Sequence, residues 1–151
     1  MSIVSELLNQ NKPDPRVRLE CGNKILDAIN NGELEADVSL LTQFTDVMCQ
    51  WLSGTNFKVA LLALEILSAS VDALGESVVS FFIDIIPTIM ERFGDSKEQV
   101  RGEAQALLVK LMGSPGASPQ IIFDRLQSGL SHKQYLVRIG VMITLQQALR
   151  K

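Results

Sequence analysis

The chain has 151 residues, 46% of them hydrophobic and only 5% aromatic, with a formal net charge of −3. That is enough for one domain with a substantial core, and the acidic balance argues against general nucleic-acid binding. No uncharged apolar run approaches the roughly 18 residues needed to cross a bilayer, since the most apolar stretch, residues 78–90, is broken by Asp84 and Pro87.

The predicted elements are all helical and come in pairs. The pattern Ile3-Val4-x-x-Leu7-Leu8 predicts a short amphipathic helix, interrupted over residues 11–15. Asp14 before Pro15 reads as an N-cap followed by a first-turn proline, opening a helix over residues 15–30. Its inner face is Val17, Cys21, Ile25, Leu26 and Ile29, and Asn31-Gly32 ends it. Asp37 is the expected cap of a third helix, whose stripe is Leu40, Leu41, Phe44, Val47, Met48, Trp51 and Leu52. A tight turn at residues 53–56 leads to a helix over 57–74, closed by Gly75.

A further helix is expected over residues 77–93, kinked at Pro87, which lacks a backbone donor and clashes with the preceding turn. After the turn at 94–96 its partner runs over 97–112, with Val100, Ala104, Leu107, Leu108 and Leu111 inward. The loop at 113–117 separates this unit from the last. Ser118-Pro119 again reads as cap and first-turn proline, for a helix ending near Leu130. The final helix, residues 135–150, follows the turn at 131–134 and carries Val137, Val141, Leu145 and Leu149 inward.

The second helices share a phrase: Arg16-Val17-Arg18, Lys58-Val59-Ala60, Gln99-Val100-Arg101 and Leu136-Val137-Arg138. The valines are 42, 41 and 37 residues apart, the period of HEAT-type two-helix repeats. Such repeats bury their apolar faces only by stacking. The fold class is therefore all-α, an α-solenoid of about four helix pairs forming a single domain over residues 1–151. Val141, Met142 and Leu145 do not make the polar cap a terminal repeat needs. Either the array continues past Lys151 or that face meets a partner.

The turns within pairs lie along one edge of such a stack and the turns between pairs along the other. Four windows on the within-pair edge hold Lys12, Arg16, Arg18, Lys58, Lys97, Arg101, Lys133 and Arg138 against Asp14, Asp95 and Glu98. The between-pair turns hold Glu33, Glu35, Asp37, Asp72 and Glu76 and no basic residue. A basic rim on an acidic protein suits an acidic protein surface as ligand. Lys58, Lys97 and Lys133 are read as contact residues. Arg101 and Arg138 are read either as contacts or as internal ladder residues, with Asp95 and Arg101 spaced for a ladder between neighbouring repeats.

No site for catalysis, metal or cofactor is expected. There is no Gly-rich phosphate loop, no metal-ligand cluster and no Ser/His/Asp set close in sequence. Cys21 and Cys49 lie in apolar helical patterns and read as reduced core thiols, so a cytosolic protein is expected. The start of the chain lacks the basic and long apolar segments of a signal peptide. No membrane, nucleic-acid or small-molecule partner is expected.

Residues 94–101, Gly-Asp-Ser-Lys-Glu-Gln-Val-Arg, continue to Ala104-Gln105-Ala106-Leu107-Leu108 and Leu111-Met112. This run resembles the third repeat of a TOG domain from the CLASP family of microtubule regulators. Trp51-Leu52-Ser53-Gly54-Thr55-Asn56-Phe57-Lys58 resembles the second-repeat turn, and His132-Lys133 with Val137-Arg138 the fourth. The N-terminal TOG domain of the family is the best match, over essentially the whole chain. A TOG domain usually has six repeats, and this chain supplies about four.

The resemblance implies a partner, the tubulin dimer or the microtubule lattice, engaged through the within-repeat turns. It implies as contacts Ser53, Thr55, Asn56 and Lys58 in the second turn, Asp95, Ser96, Lys97 and Arg101 in the third, and His132, Lys133 and Arg138 in the fourth. It further implies a role in microtubule stabilisation and rescue, and a cytoplasmic location on the cytoskeleton, at spindle and kinetochore. The alternative reading is a HEAT scaffold for a different protein partner, without tubulin affinity.

Overall fold

A computed structural model describes residues 2–150. Among them there is no strand, and the helices fall into two rows. The first helices of the pairs are α1 (Ile3–Asn9), α3 (Val38–Ser53), α5 (Glu76–Phe82) with α6 (Ile86–Glu91), and α8 (Pro119–Gln127). The second helices are α2 (Pro15–Asn30), α4 (Phe57–Leu74), α7 (Glu98–Met112) and α9 (Tyr135–Leu149). Within the second row α2 packs on α4, α4 on α7 and α7 on α9. In the other row α1 meets α3, α3 meets α5 and α6, and α6 meets α8. This is the HEAT-like solenoid that the repeat period predicts.

The starts and stops follow local chemistry. Asp14 accepts the Arg16 amide and Pro15 opens α2, Asp37 accepts the Leu40 amide, and Asn56 accepts those of Lys58 and Val59. Ser118 caps α8 ahead of Pro119. These side chains satisfy amides that have no partner inside the helix. Gly75 ends α4 at φ +56°, a conformation that side chains with a Cβ resist.

The helix expected over 77–93 is not continuous. It stops at Phe82, passes through a 3₁₀ turn, Ile83–Ile85, and resumes as α6. Pro87 lies in the first turn of α6, where its missing N–H costs nothing. A second 3₁₀ turn, Arg92–Gly94, follows α6. The consequence is positional: the short α6 delivers Glu91 and Arg92 to the edge where the within-pair turns lie.

One apolar cluster runs through all four pairs, from Val4 and Leu8 through Phe44, Trp51, Phe82 and Phe93 to Val137 and Val141. Gly22 and Gly140 allow close approach. A Cβ on Gly22 would stand 2.5 Å from a Leu62 methyl, and one on Gly140 2.6 Å from the Phe93 Cβ. Trp51 is fully buried, and its indole Nε1 donates to Asn11 Oδ1 at 3.0 Å.

Some inward assignments shift. Val17, Leu26 and Leu145 are only half-buried, and Leu149 is 87% exposed at the last turn of α9. Tyr135, Ile139 and Met142 are also exposed along α9, which has no helix beyond it among the described residues. Cys21 is buried, with Sγ 3.0 Å from the Leu7 carbonyl oxygen, and burial pushes its thiol pKa up. Cys49 is half-buried, and both cysteines are free thiols.

Candidate docking edge

The four within-pair turns form one continuous edge. Asn11 of the first turn bonds Trp51 and Gln50, just ahead of the second turn. Arg92, at the third turn, donates to the Leu52 and Gly54 carbonyls of the second. His132 of the fourth turn bonds Glu91 at 2.9 Å. A cleft lined by Ser53, Thr55, Thr88, Glu91, Asp95 and Gln134 runs along the second, third and fourth turns. The candidate residues of all three turns therefore share one side of the molecule.

Their roles on that side divide. Lys58, Lys97 and Lys133 are exposed, and none forms a salt bridge among the described residues. Lys97 Nζ lies 4.9 Å from the Phe57 ring centroid, a cation–π distance, which brings it beside Lys58. Ser53, Thr55 and Ser96 are exposed as well, although Ser53 Oγ donates back to the Cys49 carbonyl at 2.9 Å. Lys12 and Arg16 extend the exposed positive charge to the first turn.

The remaining candidates face inward. Asn56 is the α4 cap. Asp95 has a side chain only 7% exposed. One of its oxygens takes Arg92 Nη1 at 2.8 Å, and the other takes the Lys97 amide at 2.8 Å. Arg101 Nη1 donates to the Asp95 backbone carbonyl at 2.8 Å, so Asp95 and Arg101 do not form the carboxylate ladder that their spacing suggests. Arg138 Nη1 bonds the carbonyls of His132 and Lys133 at 2.6 and 3.1 Å. His132 Nδ1 accepts the Gln134 amide at 3.0 Å, so its proton sits on Nε2, facing Glu91. These five residues give the turns their shape.

Sequence reasoning missed Arg92 and Glu91. A faint signal was present: the repeat phrase has Arg after Val in three repeats but Ala60 in the second. The between-pair edge also differs from its composition. Lys110 reaches it from α7 and pairs with Asp72 at 2.9 Å, whereas Glu33, Glu35, Asp37 and Glu76 remain exposed.

Among the described residues no group of three or more His, Cys, Asp or Glu could hold a metal ion. No helix there is long and apolar enough to cross a membrane.

Stacked helix pairs with an edge of short, braced turns define a TOG-type HEAT-like solenoid. The chain superposes on the MAST/Orbit N-terminal domain with a TM-score of 0.82 and 29% identity, over 95% of this chain and 64% of that one. It is 38% identical over 146 residues to Protein CLASP-1 of Caenorhabditis briggsae, covering 95% of this chain and 11% of that protein. It is 35% identical over 133 residues to CLIP-associating protein 1 of Xenopus tropicalis, covering 85% and 9%. No protein-family model matches. The chain belongs to the CLASP family and is similar in structure to an N-terminal domain of that family. It spans about a tenth of the length of those two relatives.

Proposed function

We propose that this domain is a non-enzymatic microtubule-regulatory module that docks on tubulin through its within-pair turns. The observation carrying this reading is the trio Lys58, Lys97 and Lys133, exposed and without salt bridges among the described residues on one edge, where Asp95 and Glu91 are tied up internally. Tubulin is an acidic partner, and unpaired lysines on a braced edge both steer and hold such a surface. Ser53, Thr55 and Ser96 supply orienting hydrogen bonds beside them. Asn56, Asp95, Arg101, His132 and Arg138 act by holding the turns in shape. Family membership supports the same partner, and in the whole protein the module contributes to microtubule stabilisation and rescue, in the cytoplasm at spindle and kinetochore.

The test is gel filtration of the domain with purified αβ-tubulin and, separately, co-sedimentation with stabilised microtubules, each across a salt series. Retention at low salt that weakens steadily with added salt is expected, because exposed charge pairs are screened. Absence of retention in both would point instead to a different acidic protein partner.

A further inference from the structure

Each arginine after the shared valine reaches back to a carbonyl six residues earlier. Arg18 Nε donates to the Lys12 oxygen at 3.1 Å, Arg101 Nη1 to Asp95 at 2.8 Å, and Arg138 Nη1 to His132 at 2.6 Å. In the second repeat the position is Ala60, fully buried, and the corresponding carbonyl is that of Gly54. That oxygen is not left bare: it accepts Arg92 Nη2, from the following repeat.

The same guanidinium has two more acceptors. Its Nε donates to the Leu52 carbonyl at 2.6 Å and its Nη1 to Asp95 Oδ2 at 2.8 Å. The Arg92 side chain is 15% exposed. A guanidinium is a rigid planar fork, so it can serve three acceptors only while all three keep one relative orientation. Two of them belong to the end of α3 and the second turn, and the third belongs to the third turn.

We propose that Arg92 is a positioning residue that locks the second and third turns into one rigid unit and so fixes Lys58 relative to Lys97. The other three arginines each brace a single turn, and Arg92 replaces the missing brace with one that spans two. Lys97 over the Phe57 ring is the outward face of this lock. The effect on binding rests on the proposed tubulin docking, but the lock itself does not.

The experiment compares the parent domain with Arg92→Ala and Arg92→Lys by amide hydrogen exchange and by tubulin retention. In both variants, exchange over residues 53–60 and 95–101 is expected to quicken about tenfold, as the loss of charge-assisted bonds implies, with α2 and α9 unchanged. Tubulin affinity should fall by about the same factor. Arg92→Lys keeps the charge but cannot span three acceptors, so parent-like behaviour in that variant overturns the proposal. Unaltered exchange in both variants overturns it too, as does faster exchange with undiminished tubulin binding. If the parent itself fails to bind tubulin, the docking reading falls, and the exchange rates alone decide the lock. If Arg92→Ala does not fold, Arg92→Lys carries the test alone by the same exchange readout, quickened exchange over 53–60 and 95–101 supporting the lock and parent-like exchange contradicting it.

Discussion

The two edges of the stack use similar charged residues in opposite ways. On the within-pair edge most carboxylates are occupied: Asp14 caps α2, Asp95 is held by Arg92 and the Lys97 amide, and Glu91 bonds His132, while Glu98 is exposed. Arg18, Arg101 and Arg138 there are turned onto backbone carbonyls, which leaves Arg16 and the lysines to face solvent. On the between-pair edge Glu33, Glu35 and Glu76 face solvent, while Asp37 caps α3 and Asp72 ties down a lysine, Lys110. The sign an edge presents is thus set by which charges have internal partners. A count of residues along the turns does not separate the charges that have internal partners from those that face solvent.

The comparison can be broken most forcefully at its two ion pairs. Arg92–Asp95 has side chains 15% and 7% exposed, whereas Lys110–Asp72 has 34% and 68%. Removing one partner of a buried pair strands a charge, so Asp95→Ala should cost about 3 kcal/mol in urea denaturation. Asp72→Ala, at a surface pair, should cost less than about 1 kcal/mol. Equal losses would mean that burial does not distinguish the edges.

A carboxylate pair away from both edges gives the smallest effect. On the face where α4 meets α7, burial and then the charge of Glu103 raise the Glu65 pKa above 4.5. The folded chain therefore holds the Glu65 proton more tightly than the unfolded chain does. Stability from this group is full below about pH 4.5 and is lost as pH rises through the raised value. Glu65→Gln should raise the melting temperature slightly at pH 7, by about 0.5 kcal/mol or less in stability because the group is largely solvated. At pH 3.5 it should change nothing. A gain at low pH would contradict the assignment.

Much of the fold was legible in the sequence, because its signals are local. Caps at Asp14, Asp37 and Ser118, with stops at Gly32 and Gly75, set helix ends almost to the residue. The period of the Val phrase gave the stacking. What escaped depends on geometry across repeats. Pro87 signalled a kink, but not that two 3₁₀ turns would aim Arg92 back at the second turn. Leu149 fits the inward stripe of α9, yet the row ends there among the described residues and leaves it exposed. Trp51, on the apolar stripe of the third helix, is buried as that stripe predicts, against Gly22 of α2. In the candidate site the lysines were readable as rim charges, because each falls in a within-pair turn set by the repeat period. An internal role for Arg101 and Arg138 was one of two readings, but their actual acceptors were not legible, since hydrogen bonds to backbone carbonyls leave no compositional trace.

The most direct measurement reverses charge on each edge separately and titrates tubulin against both variants and the parent. Lys58→Glu, Lys97→Glu and Lys133→Glu together should abolish tubulin retention while helicity and melting temperature stay unchanged. Glu33→Lys, Glu35→Lys and Glu76→Lys on the opposite edge should leave retention intact. Undiminished binding by the lysine triple variant, with the fold preserved, would contradict docking through the within-pair turns.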